Sequence, residues 1–132
     1  MNEIQAKIVI EILGMPKEHV EDTMKKVIEK LKGEEGVKIL KETTYKAEQV
    51  EKMWSTFSDL EIEVDDVSRL TGICFDYMPS SIEILAPHKV DLETAKITDL
   101  LNDLLAKIHK TDMMLKNAIA ENSMLKQQLQ KK

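Results

Sequence analysis

Several absences narrow what this chain can be. Its single cysteine, Cys74, leaves no internal disulfide framework. No apolar run reaches the roughly 18 residues that a membrane span needs. No basic stretch followed by an apolar core opens the chain, so a secretory signal is not expected. His19, His88 and His109 stand far apart, and none has a second His or Cys at metal-ligand spacing. Basic residues are not in excess either. Residues 1–90 hold 12 basic and 18 acidic side chains, and residues 91–132 hold 7 and 6. An acidic body argues against a nonspecific nucleic-acid binder, because phosphate binding needs a basic face. The expected location is the cytoplasm. Charged residues make up 33% of the chain and aromatics 4%, a balance common in thermophile proteins.

What is present begins with the last forty or so residues. Ile97, Leu104, Thr111, Ala118 and Leu125 recur at one heptad position, and Leu101, Ile108, Leu115, Asn122 and Leu129 at the other. The spacing alternates four and three without a break. A 3.5-residue apolar repeat keeps one seam facing a partner and imposes a left-handed supercoil. Asn122 fits the known device of one polar core residue that pairs across a parallel dimer and penalises register slips.

The flanking residues agree with a parallel pair. Each residue before a core position would meet one five further along the other chain: Leu100 with Leu105, Lys107 with Asp112, Met114 with Ile119, and Glu121 with Lys126. Two pairs are opposite charges, two are apolar and none repels. An exposed ion pair contributes only about 0.5 kcal/mol, so these select orientation more than they stabilise. The apolar flanks also widen the stripe, which suits a trimer, a four-helix bundle or packing on the chain's own domain. The pattern predicts a helix over 91–131, about 60 Å long at roughly 1.5 Å per residue.

Ahead of the tail, residues 4–13 alternate with period two. Ile4, Ala6, Ile8, Ile10 and Ile12 share one face of a half-buried strand. Pro16 suits the first turn of a helix. Val20, Met24, Val27 and Leu31 then recur at helical spacing, with Glu21–Lys25 and Asp22–Lys26 as i,i+4 pairs and Gly33 as the stop. Val37 to Tyr45 reads as a second strand and Trp54 to Val64 as a third. The connection over 46–53 could carry a helical turn. Asp65 or Asp66 caps a short helix with Val67, Leu70, Cys74 and Tyr77 on its apolar face. Ser81 to Ala86 makes the last strand, with Ile82 and Ile84.

The order is strand, helix, strand, strand, helix, strand, then the tail. It predicts an α+β fold: a ferredoxin-like βαββαβ sandwich over 1–88, with two helices on one face of a four-stranded antiparallel sheet. A long C-terminal coiled-coil helix over 91–131 follows. This order resembles the ligand-sensing regulatory domains of the ACT type and the RNA-binding RRM domains, in topology alone. RRM domains stack bases on aromatics of the central strands. The matching face here offers Val9, Glu11, Glu61 and Glu63, which would repel phosphate. ACT-type domains often hold an effector at the first strand–helix turn, here Gly14-Met15-Pro16.

Asp59, Glu61, Glu63, Asp65 and Asp66 place five acids within eight residues. Glu61 and Glu63 belong to an open sheet face near Glu11 and Glu83. The alternation lacks the turn glycine and ligand spacing of a calcium loop. A solvated face, or an acidic surface for a basic partner, explains it better than a metal. Cys74, lacking a glycine-rich elbow, reads as a buried structural thiol. Trp54 and Phe57 read as packing residues, and Met113, Met114 and Met124 as fillers of helix interfaces.

The expected function is nonenzymatic, without cofactor or metal: a homo-oligomeric scaffold, adaptor or regulatory protein joined through the tail. A parallel homodimer is expected first, with a higher oligomer or another protein as further partners, and with neither nucleic acid nor membrane. The alternative is an ACT-like small-molecule sensor. A third possibility is an enzyme using the Glu11, Glu61, Glu63 and Glu83 face, which requires burial that pushes carboxyl pKa values apart.

Overall fold

The computed structural model describes residues 3–131. Residues 1 and 2 of the domain expected over 1–88 lie outside that range. The chain divides into two units, Met1–Val90 and Asp91–Lys132. The first is α+β and contains β1 (Ile4–Gly14), α1 (Lys17–Lys32), β2 (Val37–Thr44), β3 (Glu48–Val50), β4 (Met53–Val64), α2 (Val67–Tyr77) and β5 (Ser81–Ala86). The second contains α3 (Thr94–Gln130).

Every strand pairing is antiparallel. The sheet has five strands, in the order β2-β4-β1-β5, with β3 pairing β4 as well. The expected count of four is therefore one short. The 46–53 connection holds a strand and a tight hairpin rather than a helical turn. Val50 and Met53 are register partners across Glu51 and Lys52. Glu51 takes the left-handed conformation with φ 55°. Such turns favour Gly or Asn, and neither is present, so the hairpin carries no sequence signal.

The alternation of β1 and β4 becomes the core. Ile4, Ala6, Ile8 and Ile10 of β1 and Leu60, Ile62 and Val64 of β4 are buried together. Met24, Ile28 and Leu31 of α1 and Leu70 and Ile73 of α2 close over them. The expected α1 stripe is rotated slightly, with Ile28 fully buried and Val27 only partly. Among the described residues, no buried side-chain polar atom lacks a hydrogen-bond partner. Thr56 donates to the Tyr45 carbonyl at 2.7 Å, and Thr44 and Ser58 share a 2.7 Å bond. These threonine and serine contacts allow polar residues to enter the core without the penalty of unpaired groups.

The helix ends follow local chemistry. Pro16 occupies the cap position of α1 and Gly33 its C-cap. Asp22 and Lys26 pair at 3.1 Å as expected. Glu21 instead accepts from the Ala47 backbone N–H at 3.4 Å. Asp66 caps α2 by accepting from the Arg69 N–H at 2.8 Å. Met78, left-handed with φ 47°, caps the C-terminus of α2 ahead of Pro79.

Candidate functional site

Two surfaces hold the residues singled out in the sequence. The first is α3. It begins at Thr94, not at 91, with Glu93 as its cap, so Asp91 does not open it. It runs unbroken for 37 residues, about 55 Å at roughly 1.5 Å per residue. It therefore contains Ile97, Leu101, Leu104, Ile108, Leu115, Ala118, Asn122, Leu125 and Leu129 on one continuous helix. None of its residues is buried. Leu101, Ile108, Leu115, Leu125 and Leu129 are each more than half exposed.

Thr111, at a core position of the repeat, donates its hydroxyl to the Lys107 carbonyl at 2.9 Å. A threonine bonded back to its own helix can enter an apolar seam with its hydroxyl satisfied. Of the expected interchain pairs, Lys107, Glu121 and Lys126 lie on the helix surface. Asp112 already pairs with Lys116 of the same helix at 2.9 Å. An interchain Lys107–Asp112 contact would therefore share Asp112 with Lys116, which reduces its weight further.

The second surface is the sheet face away from the helices. Register places Lys41, Glu61, Lys7 and Glu83 in one row across β2, β4, β1 and β5. Glu63 stands opposite Lys38 and Gln5 in the next row. Glu61, Glu63 and Glu83 thus alternate with lysines, and the surface is striped rather than acidic. Strand order and register create that pattern, and neither is visible in the local alternation. Glu11 lies away from the stripe, opposite Phe57. Glu11 and Glu83 are exposed, while Glu61 and Glu63 are half-buried.

At the other end of this face stands an apolar patch. Leu13, Tyr45, Val50, Met53 and Phe57 are each between 38% and 53% exposed, and half-buried Val9 adjoins them. Phe57 shares the parity of Asp59 and Glu61 in the β4 alternation, which would have assigned it to the open face. It is a surface residue, and the expectation of packing holds only for Trp54, which is half-buried with Lys17 Nζ 5.4 Å from its ring centroid. Tyr45 donates to Asp59 Oδ2 at 3.0 Å, and that bond with the carboxylate's charge raises its phenol pKa.

The remaining candidates do not gather. His19, His88 and His109 are exposed on separate elements. Among the described residues no group of three or more His, Cys, Asp or Glu side chains could hold a metal ion. Cys74 is half-buried rather than buried as expected, and that burial still pushes its thiol pKa up, away from the reactive thiolate. At the first strand–helix turn, Leu13 and Met15 stand exposed on either side of Gly14. No helix among the described residues is long and apolar enough to cross a membrane.

The chain belongs to the MJ0538 family, whose pattern matches residues 5–131 and so runs through both units. No curated protein and no solved structure matches the chain.

Proposed function

We propose that this protein is a nonenzymatic, self-assembling scaffold, adaptor or regulatory protein whose chains join through α3 as a parallel coiled coil. One observation carries this reading: a 37-residue helix with a four-three apolar seam and no buried residue. A solvated apolar stripe of that length is unfavourable until another helix covers it. Asn122 sets the register and favours two strands, and Glu121–Lys126 sets the parallel orientation.

The sheet unit is read as a ferredoxin-like domain. Strand order β2-β4-β1-β5 and two helices in one core support that reading, with β3 as an added hairpin strand. In the assembly the domain is held in paired copies and presented to a partner. The protein acts in the cytoplasm and needs neither metal nor cofactor.

Light scattering coupled to size-exclusion chromatography of the full chain tests the seam. The expected result is a dimer that Leu115→Lys dissociates and that Asn122→Ile converts to a higher oligomer. A chain whose mass is unchanged by both substitutions would remove α3 as the assembly element.

A further inference from the structure

We infer that the open face of the sheet is a second self-contact, packing against the same face of another copy about a twofold axis that runs parallel to the strands between β4 and β1. It deepens the self-assembly reading but does not depend on the α3 seam. The row Lys41–Glu61–Lys7–Glu83 carries charges that alternate across all four strands. A twofold axis along the strands exchanges β4 with β1 and β2 with β5 while keeping each row level. Glu61 then meets Lys7 of the other copy, and Lys41 meets its Glu83. Every charge in the row finds its opposite. In the neighbouring row Glu63 meets Gln5, which is neutral.

The other twofold axis in the plane of the face runs along the row. It would set Lys41 on Lys41 and Glu61 on Glu61, which is repulsive throughout. Charge therefore selects one symmetric arrangement. The same axis along the strands brings the end of the face with Leu13 and Phe57 over the same end of the other copy, where Phe57 meets its Glu11 and Leu13 its Ser55. An isologous contact requires this self-complementarity, and antiparallel sheets packed face to face with nearly aligned strands are a common solution.

Two further observations fit. None of the four charged heads is held by an ion pair within its own chain; the ion pairs among the described residues lie elsewhere. They remain available to a partner. Size sets the strength: β5 lies beside β1 only from Gln5 to Val9, so the face is four strands wide, about 19 Å, over that half and three strands wide, about 14 Å, over the half that reaches Leu13. That covers roughly 440 Å² per copy, in the range of weak, transient contacts. The contact is weak and concentration-dependent.

The test uses the full chain carrying Leu101→Lys and Leu115→Lys, which removes the α3 seam, with circular dichroism to confirm folding. Sedimentation equilibrium should still show reversible dimerisation. Glu61→Lys or Lys7→Glu in that background should each weaken it at least about tenfold, because like charges then face each other. Mixing the two variants should restore association as a heterodimer, since positions 61 and 7 then carry opposite charges at both of their contacts across the axis. A loss of folding in either variant cannot produce that rescue. A seam-broken chain that is monomeric at every concentration overturns the inference. So does association indifferent to both substitutions, which would indicate pairing at the β5 edge. Failure of the coiled coil reads out separately, as a parent chain whose mass the seam substitutions leave unchanged.

Discussion

Tyr77, the last residue of α2, donates a 2.8 Å hydrogen bond to Glu34 Oε1 in the turn after α1. The bond spans 43 positions of sequence and ties together the ends of the two helices that cover the sheet. Lys30 Nζ lies 5.9 Å from the Tyr77 ring centroid, within reach of a cation–π contact. Burial and then the Glu34 carboxylate push the phenol pKa well above its usual value.

That shift has a definite sign. The folded phenol holds its proton more tightly than the unfolded one, whose pKa is about 10. Its stabilising effect is therefore complete below about pH 10 and is lost as pH rises beyond it. Tyr77→Phe should cost about 1 kcal/mol at neutral pH, as for one hydrogen bond. The variant should also lose less thermal stability than the parent on going from about pH 9 to about pH 11. Parallel melting curves across that range would show that the Glu34 contact is not the cause.

Two glycines should respond in opposite directions to alanine. Gly36 has φ 77°, and a Cβ there would lie 2.7 Å from Asp65 Oδ2. Gly36→Ala should destabilise by about 1–3 kcal/mol. Gly72 lies inside α2, and a Cβ there meets nothing within 4 Å. Gly72→Ala should stabilise by about 1 kcal/mol through helix propensity. Denaturant unfolding of the two variants checks both signs.

Asp66 holds the first turn of α2 through the Arg69 N–H. Asp66→Ala should cost about 1 kcal/mol, while Asp66→Asn should cost little, because either Asp or Asn accepts the bond. An equal loss in both would assign the effect to charge rather than capping. Chemical denaturation at neutral pH separates them.

Ile8 and Ile82 are register partners on β1 and β5. Ile8 is fully buried, yet Ile82 is 43% exposed. The helices pack on β1, β4 and, for α1, β2, leaving the β5 edge thinly covered. Ile8→Ala should cost about 2–5 kcal/mol, including the cavity it leaves. Ile82→Ala should cost about 1 kcal/mol, since roughly half its surface is already wet. Similar losses would mean that β5 is covered in solution, a result thermal melts at several concentrations would reveal.

Much of the fold was legible because its signals are local. The period-two run from Ile4 to Ile12 and the alternation of Leu60, Ile62 and Val64 identified β1 and β4 with their buried faces. Asp66, Gly33 and Pro79 marked helix boundaries through the backbone groups they satisfy or cannot supply. The heptads of the tail identified a continuous helix, expected over 91–131 and observed over Thr94–Gln130. Where local chemistry was ambiguous the reading failed. Glu51 and Lys52 turn a hairpin without the residues such turns favour, and β3 went unseen.

The surface was less legible than the core. Alternation alone assigns Glu61 and Glu63 to the open face, but it cannot say that Lys7 and Lys41 flank Glu61. That neighbourhood depends on which strands adjoin and in what register, information spread over residues 7, 41, 61 and 83. The sequence by itself determined the periodicities, and through them the strands, the helices and the apolar seam of α3. Only the tertiary structure decided that Phe57 and Leu13 share an exposed patch, that Ile82 stays half exposed, and that the carboxylates alternate with lysines. Periodicity is a property of one segment, whereas burial and charge neighbourhood arise when distant segments pair.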